Sequence, residues 1–168
     1  MVSRLPTRLR LGTAVLLLGA CGQGRTATIY LDQGTVLVPV ERHLGRSDAK
    51  AVVESLIAGP TAAERKEGLQ PVIHARVRDI EVRVRDGTAV VAYTGPRIRS
   101  FAGQAAIVFS LTALSGLSSV SLHSNGEICC VYDQQGRSID PLTRKLYRGW
   151  SGEPCEARFY RDAVPCSG

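Results

Sequence analysis

Apolar residues recur along this chain at two spacings, and the two spacings divide it into strands and helices. Ala27–Leu31 and Thr35–Glu41 are β-rich runs separated by Asp32, Gln33 and Gly34, which predicts a hairpin with a glycine-containing loop. The period then changes. Ala49, Val52, Val53, Leu56 and Ile57 fall at i, i+3, i+4, i+7 and i+8, an apolar stripe on a helix that Ser47 or Asp48 can cap. Gly59 and Pro60 stop it, the glycine as a C-terminal cap and the proline as a residue that cannot continue the helix. Thr61 and Glu64 stand at capping-box spacing, so a second short helix is expected to begin at once and to end near Gly68.

From Asp79 to Arg85, Ile80, Val82 and Val84 alternate with Glu81, Arg83 and Arg85, which predicts a strand with one buried and one charged face. Asp86 and Gly87 are a two-residue turn signal, and Thr88–Tyr93 returns as its partner. Ser100 can cap a helix from about Phe101 to Leu114, with Phe101, Ala105, Val108, Phe109, Thr112 and Ala113 on its inner side and Gly116 beyond its end. Val120–His123 and Glu127–Tyr132 form a last hairpin about Asn125 and Gly126. Beyond Gly136 the chain is polar and irregular but holds Tyr147, Trp150, Phe159 and Tyr160, so residues 136–168 are expected to pack down as a tail. Hairpins and helices mix without strict alternation. The expected fold is α+β, an antiparallel or mixed sheet built from hairpins with helices on one face, over residues 27–135.

The N-terminus reads differently. Arg4, Arg8 and Arg10 stand in a segment without acids, Leu11–Ala20 is almost entirely apolar, and Gly19 and Ala20 precede Cys21. Basic, apolar and small residues in that order make a secretory signal, and the apolar run is shorter than the ~20 residues of a membrane-spanning helix. Leu18, Gly19, Ala20 and Cys21 resemble a bacterial lipobox, which implies removal of residues 1–20 and acylation of Cys21. Two or three acyl chains on one cysteine hold a protein firmly to a bilayer. The expected location is the outer face of the cytoplasmic membrane. Gly22–Thr26 would then be a tether reaching no more than roughly 17 Å.

The 168 residues carry 21 basic and 15 acidic side chains, a net charge of +6. Loss of the three signal arginines leaves 18 against 15, or +3. No basic run interleaved with aromatics argues for nucleic acid. Arg76, Arg78, Arg83 and Arg85 admit two readings: the wet face of a half-buried hairpin, which Glu81 on the same face supports, or a surface for an anionic partner such as a phosphate-rich wall polymer or lipid headgroups.

Four cysteines remain once Cys21 is lipidated, and export with an even count favours disulfides. Cys129 and Cys130 are strand neighbours whose side chains point to opposite faces, so each is expected to pair with Cys155 or Cys166 and fasten the tail. If Ile128 and Cys130 face the helices, Cys129 and Val131 face the other way.

Several stretches together resemble the GerMN domain, known from a sporulation and germination lipoprotein. They are Ile29–Leu31, Leu37–Val40, Val53–Thr61, Glu64, the Gly68-Leu69 pair, Asp86–Val91, the helix Ala106–Leu114, Val120 and the turn at Gly126. The Leu-Ile-Ala-Gly-Pro-Thr run from Leu56 to Thr61 is the most specific of these. The resemblance covers about Ala27 to Asp133. It implies a small α+β module of envelope lipoproteins, similar in shape to ring-building domains of secretion assemblies, with no catalytic residue and no cofactor. The sequence departs from the pattern at Ala92, where the family tends to carry Asp, and in the cysteine-bearing tail.

Catalytic and metal motifs are weak. Gly149-Trp150-Ser151-Gly152 would need glycine at Glu153 to make a nucleophile elbow. His43, His74 and His123 have no paired metal spacing, and Glu64 and Glu67, with Arg65 and Lys66 between them, read as a solvated helix face. The leading expectation is a non-enzymatic interaction module that binds a partner protein or wall component. The alternatives are a wall-modifying hydrolase without a local motif, and a metal-binding lipoprotein using Cys129, Cys130, Cys155, Cys166 and a histidine.

Overall fold

The computed structural model describes residues 25–46, 48–73, 76–129, 131–133 and 135–150. Residues 1–24, His74, Cys130, Ser151, Cys155, Phe159, Tyr160 and Cys166 lie outside them, so the expectations placed on those residues are not addressed by the fold.

The first hairpin forms as expected, from β1 (Arg25–Asp32) and β2 (Leu37–Leu44) in antiparallel register with Ile29 opposite Val40. Ala27, Ile29 and Leu31 alternate into the core. β1 begins at Arg25, so the last two residues of the expected tether belong to the strand. Its far edge lies beside a helix, where the Tyr30 N–H donates to Ser110 Oγ at 2.9 Å. α1 (Ala49–Ala58) starts at Asp48, whose carboxylate accepts from the Ala51 N–H, and ends at Gly59 with φ 72°. Ala49, Val52, Val53 and Leu56 are buried as the stripe predicts, and Ile57 is half-buried. α2 (Ala62–Lys66) carries the complete Thr61–Glu64 capping box.

β3 (Arg78–Arg85) and β4 (Thr88–Thr94) pair through a turn in which Asp86 and Gly87 both have positive φ, the geometry that matches strand twist. A bulge interrupts the pair between Arg78 and Glu81. From β4 the chain crosses through α3 (Phe101–Thr112) to β5 (Ser119–Ser124), which runs parallel to β4. β6 (Glu127–Cys129) returns antiparallel after the Asn125-Gly126 turn. The strand order is β3-β4-β5-β6, separate from the two-stranded β1-β2 sheet. The hairpins therefore build two sheets, one antiparallel and one mixed, in place of the single sheet expected.

α3 departs from its expected amphipathic pattern. Gly103 to Leu111 are buried without interruption, while Phe101 is 37% exposed and Ala113 is exposed. The helix is covered by β1, β5, α1 and the later Arg144–Trp150 segment, so no side of it needs to be polar. Gly103 lets its first turn approach: a Cβ there would stand 2.7 Å from the Val72 carbonyl oxygen.

The last hairpin decides the parity that the sequence leaves conditional. Cys129 sits opposite Leu122 and is 1% exposed, and Val131 is buried, whereas Ile128 is exposed. Parity along β6 follows β5, whose Val120 and Leu122 face the helices, so Cys129 faces them too.

After Val131 the chain reverses through a turn in which the Asp133 carboxylate accepts from the Gln135 and Arg137 N–H groups. It returns along the sheet edge, Leu142 exchanging backbone bonds with Val120 at 2.7 and 2.9 Å. A 3-10 segment, Arg144–Trp150, kinked at Tyr147, then lies on α3. Tyr147 is buried, as the aromatic content predicts, and donates to Gln104 Oε1 at 3.1 Å. Arg144 bonds the Phe109 carbonyl at 2.9 Å and lies over the Phe109 and Tyr30 rings. Fully buried Ile29, Leu31, Leu56, Ile107, Leu111 and Leu122 anchor the core, each contributing about 1.5–3 kcal/mol by burial.

Candidate functional site

Strand parity gives the four-stranded sheet two unlike faces. Ala89, Val91, Tyr93, Val120, Leu122 and Cys129 are buried against the helices. The opposite face is built in rows across the strands: Arg85, Thr88 and Ser119; Arg83, Val90 and Ser121; Glu81, Ala92, His123 and Ile128. Its middle strands carry small side chains, with Val90 and Ala92 half-buried. This face carries exposed arginines and acids along β3, buried Ser119 and Ser121 on β5, and exposed Ile128 on β6.

The polar floor is internally bonded. Thr88 Oγ1 lies 2.8 Å from Ser119 Oγ, and Ser121 Oγ lies 3.0 Å from His123 Nε2. A serine and histidine at that distance invite comparison with a nucleophile and its base, which need a third group to orient the ring. The row neighbours of His123 are Ala92 and Ile128. Glu81 lies two strands away, about 10 Å at ordinary strand spacing, and its Oε1 accepts from Arg83 at 2.7 Å. What this pair does chemically is hold the imidazole in place on a flat face.

Of the four arginines singled out in the sequence, Arg83 and Arg85 come to this face, and Arg78 opens β3 opposite Thr94 across the bulge. Arg76 precedes the strand, its carbonyl packed against Gly95. All four are exposed. Arg83 is paired with Glu81, while Arg78 and Arg85 form no ion pair with a described residue. His43 is exposed beside Thr26, with Nδ1 3.3 Å from Oγ1. Cys129 is buried on the helix-facing side of β6. Its Sγ lies 3.4 Å from the Tyr93 hydroxyl, which accepts from the Ile98 N–H at 3.0 Å.

A second polar cluster escaped the sequence reading. Arg42 projects from the inner side of β2 and reaches both oxygens of Glu64, with its Nη1 3.2 Å from Ser55 Oγ and its Nη2 3.1 Å from the Gly59 carbonyl. Glu64 is therefore not part of a solvated face: its side chain is 14% exposed. Partial burial would push its carboxyl up. The Thr61 N–H and the Arg42 guanidinium together outweigh that effect and hold it below the usual glutamate range. The signal was present in the sequence, since Arg42 continues the inward series of Val38 and Val40. Structurally the cluster ties the first hairpin to the helix stop at Gly59 and to the cap of α2.

Residues 28–128 match the family described as Germane, sporulation and spore germination. The chain belongs to that family. Its fold matches the tandem GerMN domains of the sporulation protein GerM from Bacillus subtilis, with a TM-score of 0.57 and 22% identity over 71% of this chain and 44% of that one. It matches the first GerMN domain of the same protein alone, with a TM-score of 0.56 and 21% identity over 72% of this chain and 98% of that domain. The chain thus spans less than half of the tandem structure and corresponds in size to one GerMN unit. No curated protein sequence matches it. The Leu56–Thr61 run that carries the resemblance forms the end of α1, the positive-φ Gly59 and the Thr61 cap, all of which contact or adjoin the Arg42–Glu64 cluster.

Proposed function

We propose that this GerMN-family chain is a non-enzymatic interaction module, exported and lipid-anchored at the outer face of the cytoplasmic membrane, where it binds a partner protein or wall component. The observation that carries the reading is one of position. The first strand of the domain opens at Arg25, four residues after the lipobox cysteine Cys21. A domain joined by three residues stays within about 11 Å of its anchor. Such a short link suits a module that works beside the bilayer. The same reading has the tail fastened to the domain by disulfides from Cys129 and Cys130 to Cys155 and Cys166, each closing a loop of a few tens of residues for about 3–4 kcal/mol.

Two measurements test this. Cys21→Ala should abolish labelling by radioactive palmitate and leave an uncleaved or released form. Palmitate labelling that persists in the variant, or is absent from the wild type, would contradict the anchor. Peptide mapping without reductant should recover Cys129 and Cys130 each joined to Cys155 or Cys166; a Cys129–Cys130 peptide, or free thiols at 155 and 166, would contradict the fastened tail.

A further inference from the structure

The first hairpin has an open end and a loop end. Arg25 and Leu44 are partners at the open end, where the chain enters the domain, and Gln33, Gly34 and Thr35 lie at the other. The eight residues of β1 hold the two ends about 24 Å apart. Gly22, Gln23 and Gly24, which link Cys21 to Arg25, reach about 11 Å. That is less than half the length of the strand, so an anchor at Cys21 draws the open end to the bilayer first. Charge acts in the same sense. Arg25, Arg46 and Lys50 are exposed about the open end; Asp48 lies 3.3 Å from Arg46 and Glu54 lies 3.8 Å from Lys50, which leaves Arg25 as the excess positive charge. Further along the hairpin's outer face stand Glu41 and Asp32, which an anionic surface repels, so the hairpin is favoured on its end over lying flat.

We propose that the three-residue link seats the open end of the first hairpin, at Arg25 and residues 43–46, on the phospholipid headgroups of the bilayer that holds Cys21. The proposal rests on the lipid-anchor reading and gives the anchored module its orientation. Contacts within the fold say what is then turned outward. At the loop end the Asp32 carbonyl accepts from the Gln70 N–H at 2.8 Å, and Val72 packs against Gly103 at the start of α3. Tyr30, nearer the open end, lies instead beside Ser110 toward the end of that helix. The loop that leads into α3 is tied to the last hairpin turn, the Gly95 N–H donating to Asn125 Oδ1 at 3.2 Å and Asn125 Nδ2 to the Gly95 carbonyl at 3.1 Å. Gly34, residues 67–73, residues 95–100 and the Asn125-Gly126 turn therefore gather at the end away from the headgroups.

The test uses the mature full-length protein, extracted from membranes without reductant and placed in nanodiscs of phosphatidylethanolamine and phosphatidylglycerol that carry a gadolinium-chelating lipid. Amide relaxation should be enhanced most at Thr26, Leu44, Gly45 and Arg46, and at least tenfold less at Gly34, Gly95 and Gly126. A twelve-residue Gly-Ser insert between Gly24 and Arg25 has an r.m.s. span of about 20 Å and frees the domain to turn. The contrast between the two ends should then fall several-fold while amide shifts within the domain stay unchanged. Equal relaxation at Gly34 and Gly45, stronger relaxation at Gly34, or a contrast that survives the insert undiminished would overturn the proposal. Weak relaxation at both ends of an acylated chain, as a protein or a second copy covering the open end would give, would overturn it and leave the anchor standing. Intact mass distinguishes failure of the anchor itself: a wild-type chain without acyl mass contradicts that reading, and the orientation falls with it.

Discussion

Arg42 and Glu64 form an ion pair that is sheltered on both sides, with side-chain exposures of 15% and 14%. The folded Glu64 carboxyl titrates below its ordinary 4.5. A carboxyl lowered on folding stabilises the fold above its unfolded pKa, and that stabilisation is lost as pH falls through the folded value. Glu64→Gln should therefore cost about 1.5–3 kcal/mol near pH 7, the scale of hydrogen bonds to a charged group, and the gap from the wild type should shrink as pH falls through the lowered folded value. Urea unfolding of both proteins across that range checks it; a gap independent of pH would contradict the pairing. At this scale the sequence was legible wherever a residue's role followed from its parity or spacing. Arg42 was readable from its place after Val38 and Val40, but its partner Glu64 is 22 positions away and became visible only in the folded chain. The facing of Cys129 stays conditional in the sequence because nothing local fixes which side of β6 is inward; β5 decides it.

Elements were legible where a local signal terminates them. Both two-residue turns, all three capped helix starts and the Gly59 stop appear where the sequence placed them. Leu56, with 0% exposure on the predicted stripe of α1, should cost about 2–5 kcal/mol on truncation to alanine. Calorimetry or denaturant unfolding that finds less than half a kcal/mol would contradict that packing. What the sequence hid was the pairing between hairpins. The parallel β4–β5 contact is made across α3, and no local pattern marks two strands so separated as neighbours. α3 itself was misread for a related reason: a helix covered on every side has no polar stripe to give its orientation. Gly103 tests that environment. Alanine is the better helix former by about 1 kcal/mol, yet here its methyl group would meet the Val72 backbone. Gly103→Ala should therefore destabilise the domain by about 1–3 kcal/mol, and a stabilised variant would show that the first turn of α3 sits further from Val72.

For the whole molecule, the family and the α+β class were readable from the sequence, and the fold places the most specific of the residues that carried the resemblance, Leu56 to Thr61, on one path from the end of α1 through Gly59 to the cap of α2. The outer face of the four-stranded sheet was less readable, because its edge strands β3 and β6 are brought into one sheet by the β4–β5 register. The proposed function depends on where the domain is held. Cys21 is the residue on which that placement turns. Intact mass spectrometry of the protein taken from the membrane fraction tests it most directly. The account predicts a chain beginning at Cys21 and carrying the added mass of two or three acyl chains; an unmodified chain that retains Met1 would contradict it.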